Sequence, residues 1–230
     1  SLMLNAASAA AERAGRLIRR PRVVRISASG SGGNVQVLRR SRWTSVLLRP
    51  VLQSSSPIII LNQNMRTELE SVGVVSSRFV WIPNGVDAQQ YRPATEALRA
   101  ERRSQLGWSE DSLVVLFVGR LDPQKNLVAL MAIWPEVLRR VPQARLVLAG
   151  EGPLRGELMR QAESLNLGSA VEFYGLRTDI LSIYQAADLF VLPSWYEGMS
   201  NALLEAMACG LAVLGSRIPG TEELLHSGEA

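Results

Sequence analysis

The sequence predicts an α/β protein made of two Rossmann-like, doubly wound units with parallel sheets. From residue 113 onward, apolar strands alternate regularly with helices, and shorter apolar strands occur before residue 83. Strands joined by helical crossovers form parallel sheets that helices cover on both faces. The polar stretch 87–108 contains Pro93 and no strand signal, which is typical of a linker. We therefore expect a partial first unit over 1–88 and a second unit over 89–230 that lacks its last elements.

Each predicted element rests on a local pattern. Residues 6–20 are rich in Ala and Arg and end at Pro21, which favours a helix, whereas Ile58–Ile60 is typical of a buried parallel strand. The first unit is predicted to contain helices at 6–20, 43–52 and 65–72, strands at 23–26, 57–61 and 79–82, and a glycine-rich loop at 29–33. The second unit is predicted to contain strands at 113–118, 145–149, 171–174, 189–193 and 211–214, and helices near 126–140, 153–165, 178–186 and 201–209.

Composition limits the function classes. The chain has 25 Lys and Arg against 21 Asp and Glu, and much of the excess lies in the first 50 residues. This cationic region favours either a solvated helix surface or peripheral contact with anionic lipid or an anionic acceptor, and no nucleic-acid motif accompanies it. One Cys and one His exclude an intrachain disulfide and a Cys/His zinc site. No apolar run approaches the roughly 20 residues of a membrane span. We expect a cytoplasmic protein, either free or peripheral at the inner face of the membrane.

Two basic residues lie in the loop that follows the strand at 113–118. The strand ends at Gly119, and Arg120 and Lys125 follow it. Open α/β sheets bind ligands at the carboxyl ends of their strands. Arg offers phosphate oxygens a planar fork and Lys offers a mobile point charge, so the pair suits a diphosphate. The alternative is a pair of surface cations at the start of a helix.

The segment 197–210 predicts a helix whose N-terminus faces an anion. Ser200 or Asn201 can cap the helix, and Gly210 can end it as a left-handed residue. The predicted apolar stripe consists of Leu203, Leu204 and Met207. The backbone amides of Gly198, Met199, Ser200 and Asn201 precede the first turn, where free N–H groups and the helix dipole favour a phosphate.

Two carboxylates accompany this helix. Glu197 precedes it and Glu205 lies on its second turn. Both can point into a ligand cleft, one toward a sugar and one toward ribose hydroxyls. The alternative for each is a solvated surface carboxylate.

Four motifs in this order resemble a known family. They are Ile82–Asp87, the run Gly-Arg-Leu-Asp-Pro-Gln-Lys-Asn at 119–126, Leu-Ala-Gly-Glu-Gly-Pro-Leu at 148–154, and the Glu-x7-Glu segment Glu197–Glu205 followed by Ala-Met-Ala. The combination is similar to the group 1 (family 4) retaining glycosyltransferases of the GT-B fold. The resemblance is strong from about residue 57 to 220 and faint before that.

The resemblance implies roles for individual residues. Arg120 and Lys125 would bind the donor diphosphate, with Gly119 at the end of the strand before them, and Glu205 would bind the ribose. Glu197 would lie near the donor sugar, with the amides of 198–201 around sugar and phosphate. The catalytic residues would be Glu197, Arg120 and Lys125. The strand end 173–176, including Leu176, would contact the base through its backbone. The donor would be a UDP-, GDP- or ADP-sugar, and no cofactor or metal is expected because protein cations take the metal's role.

Both ends of the chain depart from the family pattern. Only 81 residues precede Ile82, and the place where relatives often have a cleft histidine is occupied by Ser27 and Ser29. The single histidine, His226, lies near the C-terminus, and we interpret it as an exposed residue. We expect either a fragment or a naturally shortened protein that forms a homodimer to cover its sheet edges.

Three functions compete. The first is a retaining glycosyltransferase of the hexosyltransferase type, whose acceptor is a glycan, a lipid-linked glycan or a small molecule. The second is a catalytically incomplete nucleotide-sugar-binding fragment or scaffold. The third is another GT-B enzyme, such as a sugar-nucleotide epimerase, and the Glu-x7-Glu and Gly-Arg-x4-Lys motifs disfavour it. A dehydrogenase is weaker still, because the glycines at 30–33 do not have the spacing of a dinucleotide-binding motif.

Overall fold

The chain divides into two compact units in the computed structural model, which describes residues 2–3, 14, 23–29 and 56–225. Unit 1 consists of Ser1–Asn84, Trp195–Ser200 and Arg217–Glu229, and unit 2 of Gly85–Ser194, Asn201–Ser216 and Ala230. The sequence-based division kept everything after residue 88 together, whereas contacts group 195–200 and 217–229 with unit 1. A Cβ on Gly198 would lie 2.2 Å from the Ser27 carbonyl oxygen, which shows how closely this loop packs there.

Unit 1 contains a parallel sheet. Its described strands, in spatial order, are β1 (Leu2–Met3), β2 (Val24–Arg25), β3 (Ile58–Ile60) and β4 (Phe79–Trp81). Helix α1 (Gln63–Glu70) follows β3 and begins where the Asn62 side chain accepts a hydrogen bond from the Met65 amide. Met65 and Leu69 bury the inner face of α1. The predicted strands at 23–26, 57–61 and 79–82 and the helix at 65–72 are therefore present with slightly different bounds.

Unit 2 is a doubly wound domain, and its described residues form a five-stranded parallel sheet. Its strands are β5 (Leu113–Val118), β6 (Ala144–Ala149), β7 (Val171–Gly175), β8 (Leu189–Leu192) and β9 (Ala212–Gly215), in the spatial order β7-β6-β5-β8-β9. The connecting helices are α3 (Leu127–Arg140), α4 (Arg155–Ser164), α5 (Ile180–Ala186) and α6 (Asn201–Ala208). Helix α7 (Pro219–Glu222) follows β9 in the chain and belongs to unit 1. The central strands β5 and β6 are buried along most of their length, as apolar strands covered on both faces should be.

The predicted linker 87–108 contains a helix, which corrects the sequence prediction. Helix α2 (Glu96–Gln105) begins at Thr95, whose hydroxyl accepts a hydrogen bond from the Leu98 amide. Its Arg103 side chain is only 2% exposed, and its guanidinium donates to the Ala186 carbonyl and pairs with Asp188. The stretch looked like a linker because its buried anchor is an arginine, a residue that is seldom fully buried unless it is paired.

Helix α6 buries only part of the predicted apolar stripe. Leu203 and Ala206 are its buried residues, whereas Met207 of the predicted stripe is 37% exposed. Gly210 has φ 76°, so it ends the helix in the left-handed region as expected.

Several predictions concern residues beyond the described ranges. Of the predicted helix at 6–20 only Ala14 is described, and it is helical. The helix at 43–52, the glycines at 30–33 and His226 lie outside the described residues. Across the part of the chain that is described, no helix is both long enough and apolar enough to cross a bilayer.

Candidate functional site

A cleft of about 580 Å³ opens in unit 2 at the carboxyl ends of β5, β6 and β7. This is the edge at which open α/β sheets bind ligands, because loops diverge there and backbone groups are unpaired. The residues that line the cleft are Tyr91, Val118, Gly119, Arg120, Ala149, Gly150, Glu151, Gly175, Leu176, Arg177, Ile180 and Glu205.

Three glycines line the cleft where an added Cβ would meet neighbouring backbone or side-chain atoms. Gly119, Gly150 and Gly175 all have positive φ, at 154°, 149° and 63°. A Cβ on Gly150 would lie 1.9 Å from the Gly119 carbonyl oxygen, and a Cβ on Gly175 would lie 2.9 Å from Glu151 Oε1. The Gly119 amide donates to the Ala149 carbonyl at 3.0 Å, so β5 and β6 stay paired up to the cleft. Side chains other than hydrogen would fill the space or strain the backbone here.

The loop after β5 carries the predicted diphosphate-binding cations. The Arg120 side chain is 71% exposed, and its Nε lies 3.5 Å from Asp122 Oδ2. The Lys125 side chain runs close to the same strand end, since a Cβ on Gly119 would lie 3.8 Å from Lys125 Cε. Both basic side chains therefore stand beside Gly119, and Arg120 remains largely available to an anionic ligand.

Glu205 enters the cleft from the second turn of α6. Its carboxylate Oε2 accepts a hydrogen bond from the Tyr184 hydroxyl at 3.0 Å. Burial raises the pKa of the Glu205 carboxyl above its usual range, and the hydrogen bond from Tyr184 lowers it in part. A partly buried carboxylate beside glycine backbone is a suitable acceptor for ligand hydroxyls.

An aromatic and cationic pair stands at the end of β7. The Arg177 guanidinium lies 5.4 Å from the centre of the Tyr174 ring and also pairs with Asp179. Burial raises the pKa of Tyr174 to about 12, and its hydroxyl accepts a hydrogen bond from Trp108 Nε1. Of the predicted strand end 173–176, Gly175 and Leu176 line the cleft. Phe173 instead lines a separate groove.

The loop that carries Glu197 is held within unit 1 by side-chain amides. Asn62 Nδ2 donates to the Gly198 carbonyl at 2.7 Å, and Asn84 Nδ2 donates to the Met199 carbonyl at 2.8 Å. In a trans peptide the N–H points opposite to the carbonyl. The two asparagines therefore fix the direction of the Met199 and Ser200 amides, which are among the predicted donor-binding groups.

Glu197 itself is deeply placed in unit 1. Glu197 is only 7% exposed. Its backbone carbonyl accepts hydrogen bonds from the Ser29 amide and from the Ser29 hydroxyl. Ser29 lies at the place where members of the family that the sequence resembles often have a cleft histidine. In the structure it supports the loop that precedes α6.

The structure groups part of the predicted site in one cleft. Gly119, Arg120, Leu176 and Glu205 line it, and Lys125 runs beside Gly119. Asn201 begins α6 in unit 2, whereas the residues Glu197, Gly198, Met199 and Ser200 belong to unit 1. No metal-binding group of His, Cys, Asp or Glu is present among the described residues.

Several further cleft residues were missed by the sequence reasoning. Tyr91 and Arg177 are single polar side chains whose neighbours come from distant segments, so no local pattern identifies them. Gly150 and Glu151 lie in the quoted motif at 148–154, and the motif was the available signal. Their role is evident only from the contact between the loops after β5 and β6, where the Leu121 amide donates to the Glu151 carbonyl.

Comparisons with known proteins identify the family of the chain. The family described as "Glycosyl transferases group 1" matches residues 112–230, just over half of the chain. An Escherichia coli UDP-Gal:alpha-D-GlcNAc-diphosphoundecaprenol alpha-1,3-galactosyltransferase is 33% identical over 74% of this chain and 44% of its own length. A Mycolicibacterium smegmatis GDP-mannose-dependent alpha-(1-6)-phosphatidylinositol monomannoside mannosyltransferase is 31% identical over 94% of this chain and 58% of its own length.

The solved structures support the same fold. Anabaena HepE in complex with UDP and glucose superposes with a TM-score of 0.83 at 25% identity, over 97% of this chain and 60% of HepE. The chain thus spans well under two thirds of the length of each of these relatives. The GT-B-like fold class predicted from the sequence is confirmed. With its family match and its fold in agreement, the chain belongs to the group 1 glycosyltransferases.

Proposed function

We propose that this chain carries the donor site of a glycosyltransferase that moves a sugar from a nucleoside-diphosphate sugar to an acceptor hydroxyl with retention of anomeric configuration. The observation that carries the proposal is the cleft in unit 2, where Arg120 and Glu205 line the same space at the carboxyl ends of three parallel strands. A cation and a hydroxyl-binding carboxylate match the two ends of a ribose diphosphate.

The residues divide the work between charge and orientation. Arg120 and Lys125 offset the negative charge that develops on the departing diphosphate, while the Glu205 carboxylate accepts hydrogen bonds from the ribose hydroxyls. Fixed charges aimed at a leaving group lower the barrier because they need no reorganisation during the reaction. Glu197 and the amides of 198–201 are assigned to the donor sugar and phosphate on the resemblance. Protein cations take the place of a metal in this scheme, so donor binding does not need one.

The relatives narrow the donor and acceptor. The E. coli and M. smegmatis relatives use UDP-Gal and GDP-mannose, and HepE was solved with UDP and glucose. We propose a UDP- or GDP-hexose as the donor here. Both enzymes act on acceptors with a lipid part, diphosphoundecaprenol in one and phosphatidylinositol in the other. A lipid-linked glycan is accordingly the proposed acceptor.

Calorimetric titration tests the donor site directly. The chain is titrated with UDP, GDP and ADP in EDTA, and again as Arg120→Ala and Glu205→Ala. We expect one nucleotide to bind without metal, and each substitution to weaken binding at least about tenfold, because each removes a charged contact. Arg139→Ala and Glu157→Ala, which change exposed residues of α3 and α4, serve as controls that keep the affinity.

Two outcomes would contradict the proposal. If a folded chain binds none of the three nucleotides, or if the cleft variants bind as well as the controls, the cleft is not the donor site. An assay of sugar release from UDP-glucose or GDP-mannose then distinguishes a transferase from a binding protein. If the chain binds the nucleotide but neither transfers the sugar nor hydrolyses the donor, the scaffold function is favoured. The anomer of the first product, measured by NMR, tests retention.

A further inference from the structure

Tyr184 is a fully buried tyrosine beside the cleft. It lies on α5 with 0% exposure, and its ring contacts the rings of Tyr91 and Phe190, each with a centroid separation of 6.1 Å. The Tyr91 ring meets it edge to face, at an interplanar angle of 75°. Because both neighbours are rigid rings, the direction of the Tyr184 phenol is fixed. The sequence patterns gave this residue no role.

The Tyr184 hydroxyl meets two acceptors on α6. Its Oη lies 3.0 Å from Glu205 Oε2 and 3.2 Å from the Ala202 carbonyl oxygen. A phenol has a single proton and can donate to one of them at a time. The ionised carboxylate is the stronger acceptor, so the hydroxyl donates to Glu205 while Glu205 is charged. When Glu205 is protonated, its carboxyl can donate to Tyr184 Oη and the phenol proton can turn to Ala202.

We propose that Tyr184 is a positioning residue of the donor site, whose hydroxyl holds the Glu205 carboxylate in its ligand-binding orientation. This inference rests on the proposed function of Glu205 as the acceptor for ribose hydroxyls. A glutamate side chain is flexible, and ordering it when the ligand binds would cost conformational entropy. A hydrogen bond from a fixed phenol orders the carboxylate beforehand and leaves Oε1 to the ligand, so the entropy cost at binding falls.

The same hydrogen bond affects the charge of Glu205. Burial raises the pKa of Glu205, and the Tyr184 hydroxyl opposes that effect. The other titratable groups that face the carboxylate are Tyr91 and Cys209, and burial raises the pKa of both, with Cys209 at about 11. Arg102 in turn faces Cys209. Loss of the Tyr184 hydroxyl should therefore raise the pKa of Glu205 further. On acidification, the Glu205 carboxylate would then become protonated at a higher pH than in the unsubstituted chain.

The test compares Tyr184→Phe in two backgrounds of the full chain. UDP, GDP and ADP are titrated in parallel by calorimetry. With Glu205 present, we expect Tyr184→Phe to weaken binding about tenfold, the range of a hydrogen bond to a charged group, and to move the acid loss of binding to higher pH. With Glu205→Ala, the same substitution should change affinity less than about twofold, since coupled residues are not additive. Equal losses in both backgrounds, or no loss with Glu205 present, would overturn the proposal.

A second measurement does not depend on nucleotide binding. NMR titration of the Glu205 carboxyl carbon in the ligand-free protein follows its pKa directly. Tyr184→Phe should raise that pKa, whereas Tyr174→Phe, which removes the hydroxyl of a half-buried tyrosine at the end of β7, should leave it unchanged. If no nucleotide binds to the unsubstituted chain, the proposed function fails, and this titration still decides whether Tyr184 holds Glu205. An unchanged Glu205 pKa in Tyr184→Phe would refute the contact itself.

Discussion

Gly150 faces the carbonyl of Gly119 so closely that the identity of one residue decides whether the cleft can form. The separation of 1.9 Å between an added Cβ and that oxygen is shorter than any contact that a real side chain makes. The φ of 149° adds backbone strain for any residue with a Cβ. The motif at 148–154 therefore has a packing reason as well as a position beside the ligand site.

Gly150→Ala tests this at the residue scale. We expect the substitution to destabilise the chain by about 3 kcal/mol or more and to abolish nucleotide binding, since the loops after β5 and β6 must separate. Urea denaturation monitored by circular dichroism gives the free energy of unfolding. Gly156→Ala is the matched control: its Cβ would meet only the end of the Arg160 side chain at 3.6 Å, within α4. That change should stabilise the helix by about 0.5–1 kcal/mol, and a comparable loss in both variants would contradict the contact.

Helix α2 is held in place by buried polar contacts with distant segments of the chain. Its outward residues are charged, and its anchor is the Arg103 guanidinium, which donates to the Ala186 and Ser109 carbonyls and pairs with Asp188. The Asp188 carboxylate in turn accepts a hydrogen bond from the Val114 amide at the start of β5. Arg99 of the same helix also pairs with Asp188, so two arginines connect α2 to the starts of β5 and β8. Because the buried anchor is an arginine, the spacing of apolar residues in the sequence does not indicate it, and the segment was interpreted as a linker.

Arg103→Ala should cost about 3 kcal/mol of unfolding free energy, because it leaves the carbonyls of Ala186, Ser109 and Ser112 without this donor. Asp188 keeps its pairing with Arg99 and the hydrogen bond from the Val114 amide. Arg139→Ala, at an exposed pair on α3, should change it by less than about 0.5 kcal/mol. Denaturant titration of both variants provides the comparison. An Arg103 variant as stable as the Arg139 control would show that α2 is held by other contacts.

For the whole molecule, the division into two units predicts where a ligand changes stability. The lined cleft lies within unit 2, so a nucleotide that binds there stabilises the folded form of unit 2 by mass action. At a concentration of about 100 times Kd the stabilisation is about 2.7 kcal/mol. Hydrogen exchange followed by mass spectrometry should show about 100-fold slower exchange for those amides of β5 and β6 that exchange only through opening of unit 2.

Amides of β3 in unit 1 provide the internal comparison. We expect their exchange rates to change much less, because opening of unit 1 alone does not release a ligand held in unit 2. Equal slowing in β3 and β5 would show that the two units open as one cooperative body, which contradicts the division. Absence of slowing in both would contradict binding at the cleft.

The sequence by itself determined the elements and the chemistry of single residues. Apolar runs of period and length suited to buried strands located β5 to β9 within one or two residues, and the Arg120, Lys125 and Glu205 motifs identified the cation and carboxylate types that a donor site needs. These properties depend on local pattern and side-chain chemistry, which are readable along the chain. They also sufficed to predict the α/β fold class, whereas the family was predicted from the resemblance of four motifs to a known family.

Only the tertiary structure decided which residues meet. The contact of Gly150 with Gly119, the burial of Arg103 and the hydrogen bond from Tyr184 to Glu205 each join segments that are distant in the sequence. The assignment of 195–200 to unit 1 likewise depends on amides from Asn62 and Asn84. Such contacts arise when strands and helices pack, and their free energy depends on distance and burial, which no local sequence period encodes.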